Sequence, residues 1–470
     1  MMKIAYIHYH LKTGGVTTVL KQQVESLKND VEALVFTGEP PEGPFPARVI
    51  HIAGLGYDRT CPEGATAAGT GEAILDILHR VWPGGCDLMH VHNPLLAKNK
   101  NFLKILKFLQ QNKNRLFLQI HDFAEDGRPW SYYQDEYVRD CHYGAINSRD
   151  YSVLLRSGLK KEGLHKVFNM AQPVKLEAQR AETPAFTLYP IRALRRKNIG
   201  EAILLAQVFS DHPPLAITLP PNSPMDIKSY AGWKRFAAEK GLNIRFDAGL
   251  SSEYEALVQA AELFITTSIT EGFGFSFLEP WLANKYLWGR RLPSVCDDFE
   301  KNDIRLEHLY QQLLIPLGWI DAKRLFRKIK NAVDQNSRQY NFTVHTGLLD
   351  AHFDRIRAGG SIDFGLLDET FQRTVISRVV GSPRAAGKIR RLNPALDLAA
   401  ERADRRELIA HNRSAIINRY NESAYRKNLL DIYTRVINIP VQHGIDKQRL
   451  LADFFDLEAY SLLKWAEYAE

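Results

Sequence analysis

The fold of the amino-terminal half is set by its opening residues, MMKIAYIHYHLKTGGV at positions 1–16. Residues 3–8 form an apolar, β-prone run, and Gly14-Gly15 provides a tight turn before residues 16–28, which have helical spacing. A buried strand that turns directly into an amphipathic helix is typical of a parallel α/β sheet. The residues that follow repeat this alternation, so we expect a doubly wound domain.

Strands and helices alternate through the whole first half. Further strands are predicted at residues 31–36, 48–52, 87–91, 115–120 and 143–147. Helices are predicted at residues 71–82 and 96–112, and a third begins at Ser148, its expected N-cap, and ends near residue 156. Continuous apolar strands between helices predict a sheet that is covered on both faces.

A second set of the same kind begins near residue 184. Strands are predicted at 186–189, 215–219, 243–246 and 263–267, and helices at 198–209, 229–239 and 253–261. The polar stretch 177–184 ends in proline and is the expected linker. Beyond residue 321 long helical stretches dominate, at 321–335, 347–356, 366–380 and 424–437.

The predicted fold class is therefore α/β, with two Rossmann-like domains that face a cleft and added carboxy-terminal helices. We expect an amino-terminal domain at residues 1–176 and a carboxy-terminal, ligand-binding domain at 185–430 with a helical insertion after about 321. Helices at 431–470 are expected to pack back toward the amino-terminal domain. Because open α/β sheets bind ligands at the carboxyl ends of their strands, the cleft is the expected site.

Length and composition exclude several classes of protein. The 470 residues are 45% hydrophobic and 24% charged, which is typical of a globular protein with two domains. A net charge of +7 permits an anionic ligand but, without a recognised module, does not indicate nucleic-acid binding. Four scattered cysteines without a CxxC pair argue against a disulfide framework or a thiolate zinc site. With no evident signal peptide or apolar span, a cytoplasmic location is expected, and peripheral membrane contact stays open.

Two βα loops carry residues that suit phosphate. Gly14-Gly15 opens a helix, where backbone amides favour an anion, although the pair also fits an ordinary tight turn. Arg192 and Lys197 lie five positions apart between a strand and a helix. Two converging cations suit a diphosphate, and a solvated surface turn is the alternative for this second loop.

The strongest motif is TEGFGFSFLE at positions 270–279. It places Glu271 in the loop after a predicted strand and Glu279, eight positions later, in the first turns of the next helix. The glycines between them expose backbone amides at a helix amino terminus, which suits an anion. Ionised carboxylates only accept hydrogen bonds and therefore suit sugar hydroxyls.

Together these motifs resemble the retaining glycosyltransferases of family 4. The matching elements occur in the family's order over roughly residues 2–280. They are Gly14-Gly15 (its GG loop), His121-Asp122 (its HD element), the Arg192/Lys197 pair (its donor-diphosphate cations) and Glu271 to Glu279 (its E-x7-E motif in the form EGFG-x-x-x-LE). The resemblance implies the GT-B fold, in which two Rossmann-like domains face each other.

The resemblance also implies a role for each matched residue. Arg192 and Lys197 would neutralise the diphosphate leaving group as its charge develops. Glu271 would accept hydrogen bonds from the donor sugar, Glu279 would hold the nucleotide ribose, and His121 would face the donor sugar. The other residues implied in donor binding, partly through their amides, are Gly14, Gly15, Gly272, Phe273 and Gly274. The family generally needs no metal, and no cofactor is expected besides the nucleotide diphosphate sugar, which is a co-substrate.

The acceptor is expected mainly on the amino-terminal domain. Loops after predicted strands there carry polar and aromatic side chains, namely His10, Lys12, Asp122, Arg128 and Trp130. Aromatic faces suit sugar rings, and a cation such as Arg128 or Lys12 suits a phosphate or carboxylate. Ordinary loop packing is the alternative for these residues.

The resemblance thus implies a retaining, metal-independent hexosyltransferase. It would move a hexose from a UDP-, GDP- or ADP-sugar to a hydroxyl of a small polar, lipid-linked or polysaccharide acceptor. A sugar-nucleotide epimerase of the same architecture and a non-catalytic sugar-binding protein are the open alternatives. The epimerase would convert a nucleotide sugar to its epimer without any acceptor.

Overall fold

The computed structural model describes residues 1–173, 186–209, 213–344, 346–398 and 405–467. The chain divides into two compact units. Unit 1 comprises Met1–Met170 and Tyr420–Phe455, and unit 2 comprises Ala171–Arg419 and Asp456–Glu470. The expected linker at 177–184 lies outside the described residues.

The described strands are, in chain order, β1 (Met2–His8), β2 (Val31–Thr37), β3 (Arg48–His51), β4 (Leu88–His92), β5 (Leu116–Ile120), β6 (His142–Ala145), β7 (Leu164–Lys166), β8 (Phe186–Arg192), β9 (Leu215–Leu219), β10 (Ile244–Arg245), β11 (Ala261–Thr266), β12 (Tyr286–Gly289), β13 (Leu314–Pro316) and β14 (Ser361–Asp363).

The described α-helices are α1 (Gly15–Ser26), α2 (Ala67–Val81), α3 (Phe102–Gln111), α4 (Ser148–Arg156), α5 (Ile199–Val208), α6 (Pro224–Glu239), α7 (Ala248–Ser251), α8 (Tyr254–Ala260), α9 (Glu279–Leu282), α10 (Pro293–Glu300), α11 (Ala322–Tyr340), α12 (Thr346–Gly359), α13 (Glu369–Val379), α14 (Pro383–Leu392), α15 (Ala395–Leu398), α16 (Arg405–Arg419), α17 (Glu422–Asn438), α18 (Lys447–Phe454) and α19 (Leu462–Trp465). None of these helices is both long enough and apolar enough to cross a bilayer.

Unit 1 is built on a parallel sheet in the order β3-β2-β1-β4-β5-β6-β7. The central strand β1 is fully buried from Ile4 to Ile7, which explains why its sequence is apolar without alternation. Helices cover this sheet, and α2 packs on α3 on one face. The predicted doubly wound domain is therefore confirmed. Because its strands are parallel, their carboxyl ends all lie at one edge of the sheet.

The carboxy-terminal helix α17 belongs to unit 1. It packs on α1 and β4, and its Leu429 and Tyr433 are fully buried among apolar residues of β1 and α1. The helix α18 follows and packs on α4. The observed units thus differ from the expected ranges: the return to unit 1 begins at Tyr420 rather than at residue 431, and residues from Asp456 onward belong to unit 2.

Unit 2 is built on a parallel sheet in the order β10-β9-β8-β11-β12, with a separate antiparallel pair β13-β14. The helices beyond residue 321 complete this unit, because α13 and α14 pack on α5 and α14 also packs on β13. The last segment is bound here as well: Asn336 donates to the carbonyl of Trp465 at 2.7 Å, and Ser461 to that of Gly365 at 2.6 Å.

Most predicted elements agree with the structure within a few residues. The N-cap of α4 was predicted wrongly, because Asn147, and not Ser148, accepts the amide hydrogen of Asp150 at 2.7 Å. The edge strands β7 and β12 and the pair β13-β14 were not predicted from the sequence. These strands have three or four residues each, too few for periodicity to identify them.

Removing the buried side chain of Leu429 is expected to weaken unit 1. Leu429→Ala leaves a cavity between α17 and the sheet, and we expect a loss of about 2–5 kcal/mol in the free energy of unfolding, measured by urea denaturation. Leu348→Ala is the matched control because Leu348 is 60% exposed, and it should change that energy by less than about 0.5 kcal/mol. Equal effects of the two substitutions would contradict the packing of α17.

Candidate functional site

In unit 2 the expected site residues lie where two neighbouring strands end. β8 and β11 are paired in the sheet and run parallel, so their carboxyl ends reach the same edge. Arg192 ends β8, and Glu271 lies five residues after the end of β11. Lys197 ends a short 3-10 turn after β8, and Asn198 then takes a left-handed conformation (φ 51°, ψ 52°) that starts α5.

Hydrogen bonds hold the loop after β8 against the loop after β11. The hydroxyl of Tyr189 donates to the carbonyl of Lys197 at 2.6 Å. The hydroxyl of Thr267 contacts the carbonyls of Lys197 and Asn198 at 3.2 and 3.0 Å. The amide of Ile269 donates to the carbonyl of Arg196 at 3.0 Å. These bonds fix the backbone on both sides of the Lys197 side chain.

Lys197 and Glu271 form a buried ion pair. The Nζ of Lys197 donates to Oε1 of Glu271 at 2.5 Å. Burial raises the pKa of Glu271, but the charges of Lys197 and Arg196 outweigh that effect, so its pKa lies below the usual value. Glu271 is therefore an ionised acceptor at neutral pH, and Lys197 is a cation held at one position.

Arg192 and Glu279 line one cavity of about 720 Å³ with residues of β9, α7 and α8. Arg192 donates to the carbonyl of Pro220 at 3.0 Å. The carboxylate of Glu279 has no hydrogen-bond or ion-pair partner in the described part of the chain. Burial raises the pKa of Glu279. The positive charge of Lys197 lowers it by less than burial raises it, and the negative charge of Glu271 raises it further. The cavity thus presents a fixed cation and an unpaired carboxylate, which could bind a ligand with both anionic and hydroxyl groups.

The loop between the two glutamates requires Gly274. This residue has φ 90°, and a Cβ there would lie 2.5 Å from Cγ1 of Val295. Phe273 is buried and packs edge-on against Phe275 and Phe299, with ring centroids 5.0 and 5.6 Å away. Gly272 lies between Glu271 and Phe273. The turn is therefore fixed by packing on one side while Glu271 and Glu279 occupy its two ends.

In unit 1, His121 follows β5 and belongs to a buried histidine cluster. Its Nε2 lies 2.9 Å from Nδ1 of His92, and the two rings stack with centroids 5.2 Å apart. Burial lowers the pKa of His121 to about 4, although Asp122 opposes this effect. His121 is therefore neutral at physiological pH and acts through one N–H and one lone pair.

The contacts of His92 assign the proton of His121. The Nε2 of His92 is buried without a partner in the described residues, and a buried N–H rarely lacks an acceptor. The proton of His92 is therefore on Nδ1 and is donated to His121. It follows that His121 carries its own proton on Nδ1 as a hydrogen-bond donor. No motif in the sequence indicated this positioning role of His92.

Of the other expected acceptor residues, Arg128 and Asp122 contact each other, whereas Lys12 and His10 contact other residues. Lys12 forms an ion pair with Glu39, and His10 Nε2 lies 3.1 Å from the hydroxyl of Tyr57. Arg128 donates to Asp122 at 2.7 Å. The Trp130 side chain is 69% exposed.

Gly14 and Gly15 lie at the start of α1, open to solvent. A Cβ on Gly14 would come no closer than 3.9 Å to another atom, and one on Gly15 would have no neighbour within 4 Å. The protein's own packing therefore does not demand glycine at either position. In the described residues, no three histidine, cysteine, aspartate or glutamate side chains are grouped so that they could hold a metal ion.

The two glutamates are expected to affect stability in opposite directions. The folded pKa of Glu271 lies below its unfolded value, so its contribution is present at neutral pH and is lost as the pH falls through the folded pKa. The folded pKa of Glu279 lies above its unfolded value, so the ionised group destabilises the fold at neutral pH and the penalty disappears in acid.

At pH 7.5, Glu271→Gln should therefore lower the free energy of unfolding and Glu279→Gln should raise it. In urea denaturation both differences should shrink as the pH falls through the folded pKa of each wild-type carboxyl group. Glu239→Gln, at an exposed position of α6, is the control and should change nothing. Shifts of the same sign for Glu271→Gln and Glu279→Gln would show that the two environments are not different.

No model of a known protein family matches the chain. Among curated proteins, the mannosylglucosyl-3-phosphoglycerate synthase of Petrotoga mobilis is 26% identical over 380 residues, which cover 71% of this chain and 73% of that protein.

Solved structures share the fold over nearly the whole chain. A glycosyltransferase from Rickettsia africae has a TM-score of 0.55 at 10% identity, covering 93% of this chain and 99% of its own. The sucrose-phosphate synthase of Thermosynechococcus elongatus has a TM-score of 0.52 at 16% identity, with 92% and 98% covered. HepE of Anabaena, in complex with UDP and glucose, has a TM-score of 0.52 at 10% identity, with 92% and 99% covered. The chain has the α/β fold of the GT-B glycosyltransferases, and these findings together support a glycosyltransferase of that type.

Proposed function

We propose that this protein is a retaining, metal-independent glycosyltransferase of family 4 type that moves a hexose from a nucleotide diphosphate sugar to a hydroxyl acceptor. The observation that carries the proposal is the edge of the unit 2 sheet. There the Lys197–Glu271 ion pair and the cavity of Arg192 and Glu279 lie after the paired strands β8 and β11. HepE, which shares this fold, binds UDP and glucose, and this supports a nucleotide sugar as the donor.

On the donor side, Arg192 and Lys197 bind the diphosphate. Both cations are anchored before the ligand arrives, Arg192 at the carbonyl of Pro220 and Lys197 at Glu271. Preorganised cations need little rearrangement when negative charge develops on the leaving group, so they stabilise the transition state more than the ground state. Glu279, which has no protein partner, accepts hydrogen bonds from the ribose hydroxyls.

In unit 2, the ionised Glu271 accepts hydrogen bonds from the hydroxyls of the hexose. The amides of Phe273 and Gly274 donate to the phosphates, and the missing side chain of Gly272 leaves room for the ligand. In unit 1, we assign to the neutral His121 a donor role through Nδ1, and to Gly14 and Gly15 a turn with an exposed amide. No metal is needed, because the two cations supply the positive charge.

The transfer forms a bond between the acceptor oxygen and the anomeric carbon and breaks the bond from that carbon to the diphosphate. We propose that the acceptor attacks from the leaving-group face, so that its hydroxyl proton passes to the departing diphosphate oxygen and the anomeric configuration is retained. A retaining glycosidase instead uses a carboxylate nucleophile about 5 Å from a second carboxyl group. Glu271 is held by Lys197 and serves here as a hydrogen-bond acceptor.

The acceptor is a small acidic sugar derivative in the cytoplasm. The relative from Petrotoga mobilis is named for a product that contains 3-phosphoglycerate, which carries a phosphate and a carboxylate. Transfer of a mannosyl group to a hydroxyl of glucosyl-3-phosphoglycerate is therefore the reaction to test first. Cations and hydroxyls on the strand-end loops of unit 1 suit such an acceptor.

A donor screen by thermal shift tests the nucleotide. We expect one of the UDP-, GDP- and ADP-linked mannose or glucose donors to raise the melting temperature, because a ligand that binds only the folded state stabilises it. Lys197→Gln should abolish the shift, whereas Glu239→Gln should retain it. A wild-type protein that responds to none of the six donors would contradict the donor site.

A transfer assay tests the roles of Glu271 and Lys197. With the donor from the screen and glucosyl-3-phosphoglycerate, Glu271→Ala and Lys197→Ala should each lower kcat by about 10²–10³-fold, since each removes an interaction with developing charge or with the reacting sugar. Glu239→Ala is the control and should keep the wild-type rate.

The product should have the anomeric configuration of the donor by NMR. Unchanged activity of Glu271→Ala would overturn the site assignment. Conversion of the nucleotide sugar to an epimer without an acceptor would instead identify an epimerase.

A further inference from the structure

Three cations that the donor chemistry does not use lie on adjacent loops of unit 1. Arg59 follows β3, Lys98 follows β4 and Arg128 follows β5, so all three occupy the carboxyl edge of the same sheet. Only Arg128 was expected to contact a ligand from the sequence. Arg59 and Lys98 belong to no motif, and no sequence signal indicated them.

Backbone hydrogen bonds bring these loops together. The amide of Asp58 donates to the carbonyl of Lys98 at 2.9 Å, which places Arg59 beside Lys98. The amide of Lys100 returns to the carboxylate of Asp58 at 3.0 Å. On the other side of Lys98, the amide of Ala97 donates to the carbonyl of Ser131 at 2.7 Å. The amide of Ser131 in turn donates to the carbonyl of Arg128 at 2.9 Å. The three cations therefore sit on one hydrogen-bonded framework.

The framework holds more positive than negative charge. Arg128 is paired with Asp122 at 2.7 Å, and the Arg59 guanidinium lies 5.9 Å from the ring centroid of Tyr57. Lys98 is half-buried, and its ammonium group has no ion pair with any described residue. Burial lowers the pKa of Lys98, and the charges of Arg128 and Arg59 lower it as well. The charge of Asp122 acts in the opposite direction. Arg59, Lys98 and Arg128 outnumber the carboxylates of Asp58 and Asp122 on this framework, so positive charge is in excess.

Hydroxyl and imidazole groups complete this cluster. Burial raises the pKa of Tyr57. The charge of Arg59 opposes this effect, and the charges of Glu39 and Asp122 add to it. The hydroxyl of Tyr57 therefore stays protonated. It also contacts His10 Nε2 at 3.1 Å. Lys12 is neutralised by its ion pair with Glu39 and adds no excess charge. The Tyr57 hydroxyl therefore offers a neutral polar group next to unneutralised cations.

We propose that Arg59, Lys98 and Arg128 form a subsite for the acidic group of the acceptor, a phosphate and a carboxylate on one short carbon chain. That the bound acid is the acceptor of a transfer reaction rests on the proposed function. Binding of the acid to these three residues does not depend on it. A phosphate and a carboxylate suit these cations, because arginine guanidinium groups bind phosphate and carboxylate oxygens through paired hydrogen bonds. A neutral acceptor would leave the half-buried Lys98 without an ion-pair partner in the described residues.

Binding of 3-phosphoglycerate to the full chain tests the subsite without any turnover. Isothermal titration calorimetry should show that wild-type protein binds 3-phosphoglycerate, and that it binds glycerate and inorganic phosphate at least tenfold more weakly. Lys98→Gln and Arg59→Gln should each weaken 3-phosphoglycerate binding at least tenfold. Lys104→Gln, which removes one charge from an exposed position of α3, is the matched control and should bind as the wild type does. Melting temperatures within a few degrees of wild type would exclude misfolding of the variants.

The outcomes separate this subsite from the proposed function. If 3-phosphoglycerate fails to bind wild type, or binds Lys98→Gln and wild type equally, the subsite is wrong even if glycosyl transfer to another acceptor is found. If binding depends on Lys98 but no nucleotide sugar is turned over, the subsite stands and the proposed function fails. In an active enzyme, Lys98→Gln should raise the KM for the acceptor tenfold or more while the KM for the donor stays constant.

Discussion

Unit 2 is stabilised by buried ion pairs, because a charged group that is removed from water needs a partner of opposite charge. Arg290 lies buried between Glu201 and Asp363, with both carboxylates 2.7 Å from its Nη2. Arg195 is paired with Glu369 at 2.7 Å and donates to the carbonyl of Ala466, so that α13 and the last segment are bound to the loop after β8. Breaking such a pair is costly because the remaining charge stays buried. The loop that carries Lys197 is therefore fixed on both sides by charge pairing, and the Lys197–Glu271 pair obeys the same rule.

Two exceptions to this rule lie at the proposed ligand contacts. Glu279 in unit 2 and Lys98 in unit 1 are titratable groups, at least partly buried, without an ion-pair partner in the described residues. Leaving these two groups unpaired adds nothing to the stability of the fold. Each is instead at the carboxyl end of a sheet, where parallel α/β folds bind ligands. A ligand with ribose hydroxyls would partner Glu279, and an acidic acceptor would partner Lys98.

The sequence predicted the sheets and the loops of the candidate site better than their surroundings. Apolar strands such as β1 and β9 could be recognised because burial on both faces leaves a continuous hydrophobic run. Glu271, Arg192 and Lys197 could be placed at the ends of strands because each follows such a run closely in the sequence. The pairing of Lys12 with Glu39, the return of α17 to unit 1 and the half-burial of Lys98 depend on residues distant in sequence, and no local pattern contains them. The short strands β13 and β14 were missed because three residues are too few to show an alternation of apolar and polar side chains.

We propose that the carboxyl edge of the unit 2 sheet binds the diphosphate of a nucleotide through Arg192. Calorimetric titration of UDP, GDP and ADP, and of the corresponding nucleosides, into wild-type protein and Arg192→Gln tests this binding. We predict that one nucleoside diphosphate binds wild type, that Arg192→Gln weakens this binding at least tenfold, and that the affinity for the nucleoside is the same in both proteins. Equal binding of the diphosphate by both proteins, or no binding of any of the three by wild type, would contradict a diphosphate site at Arg192.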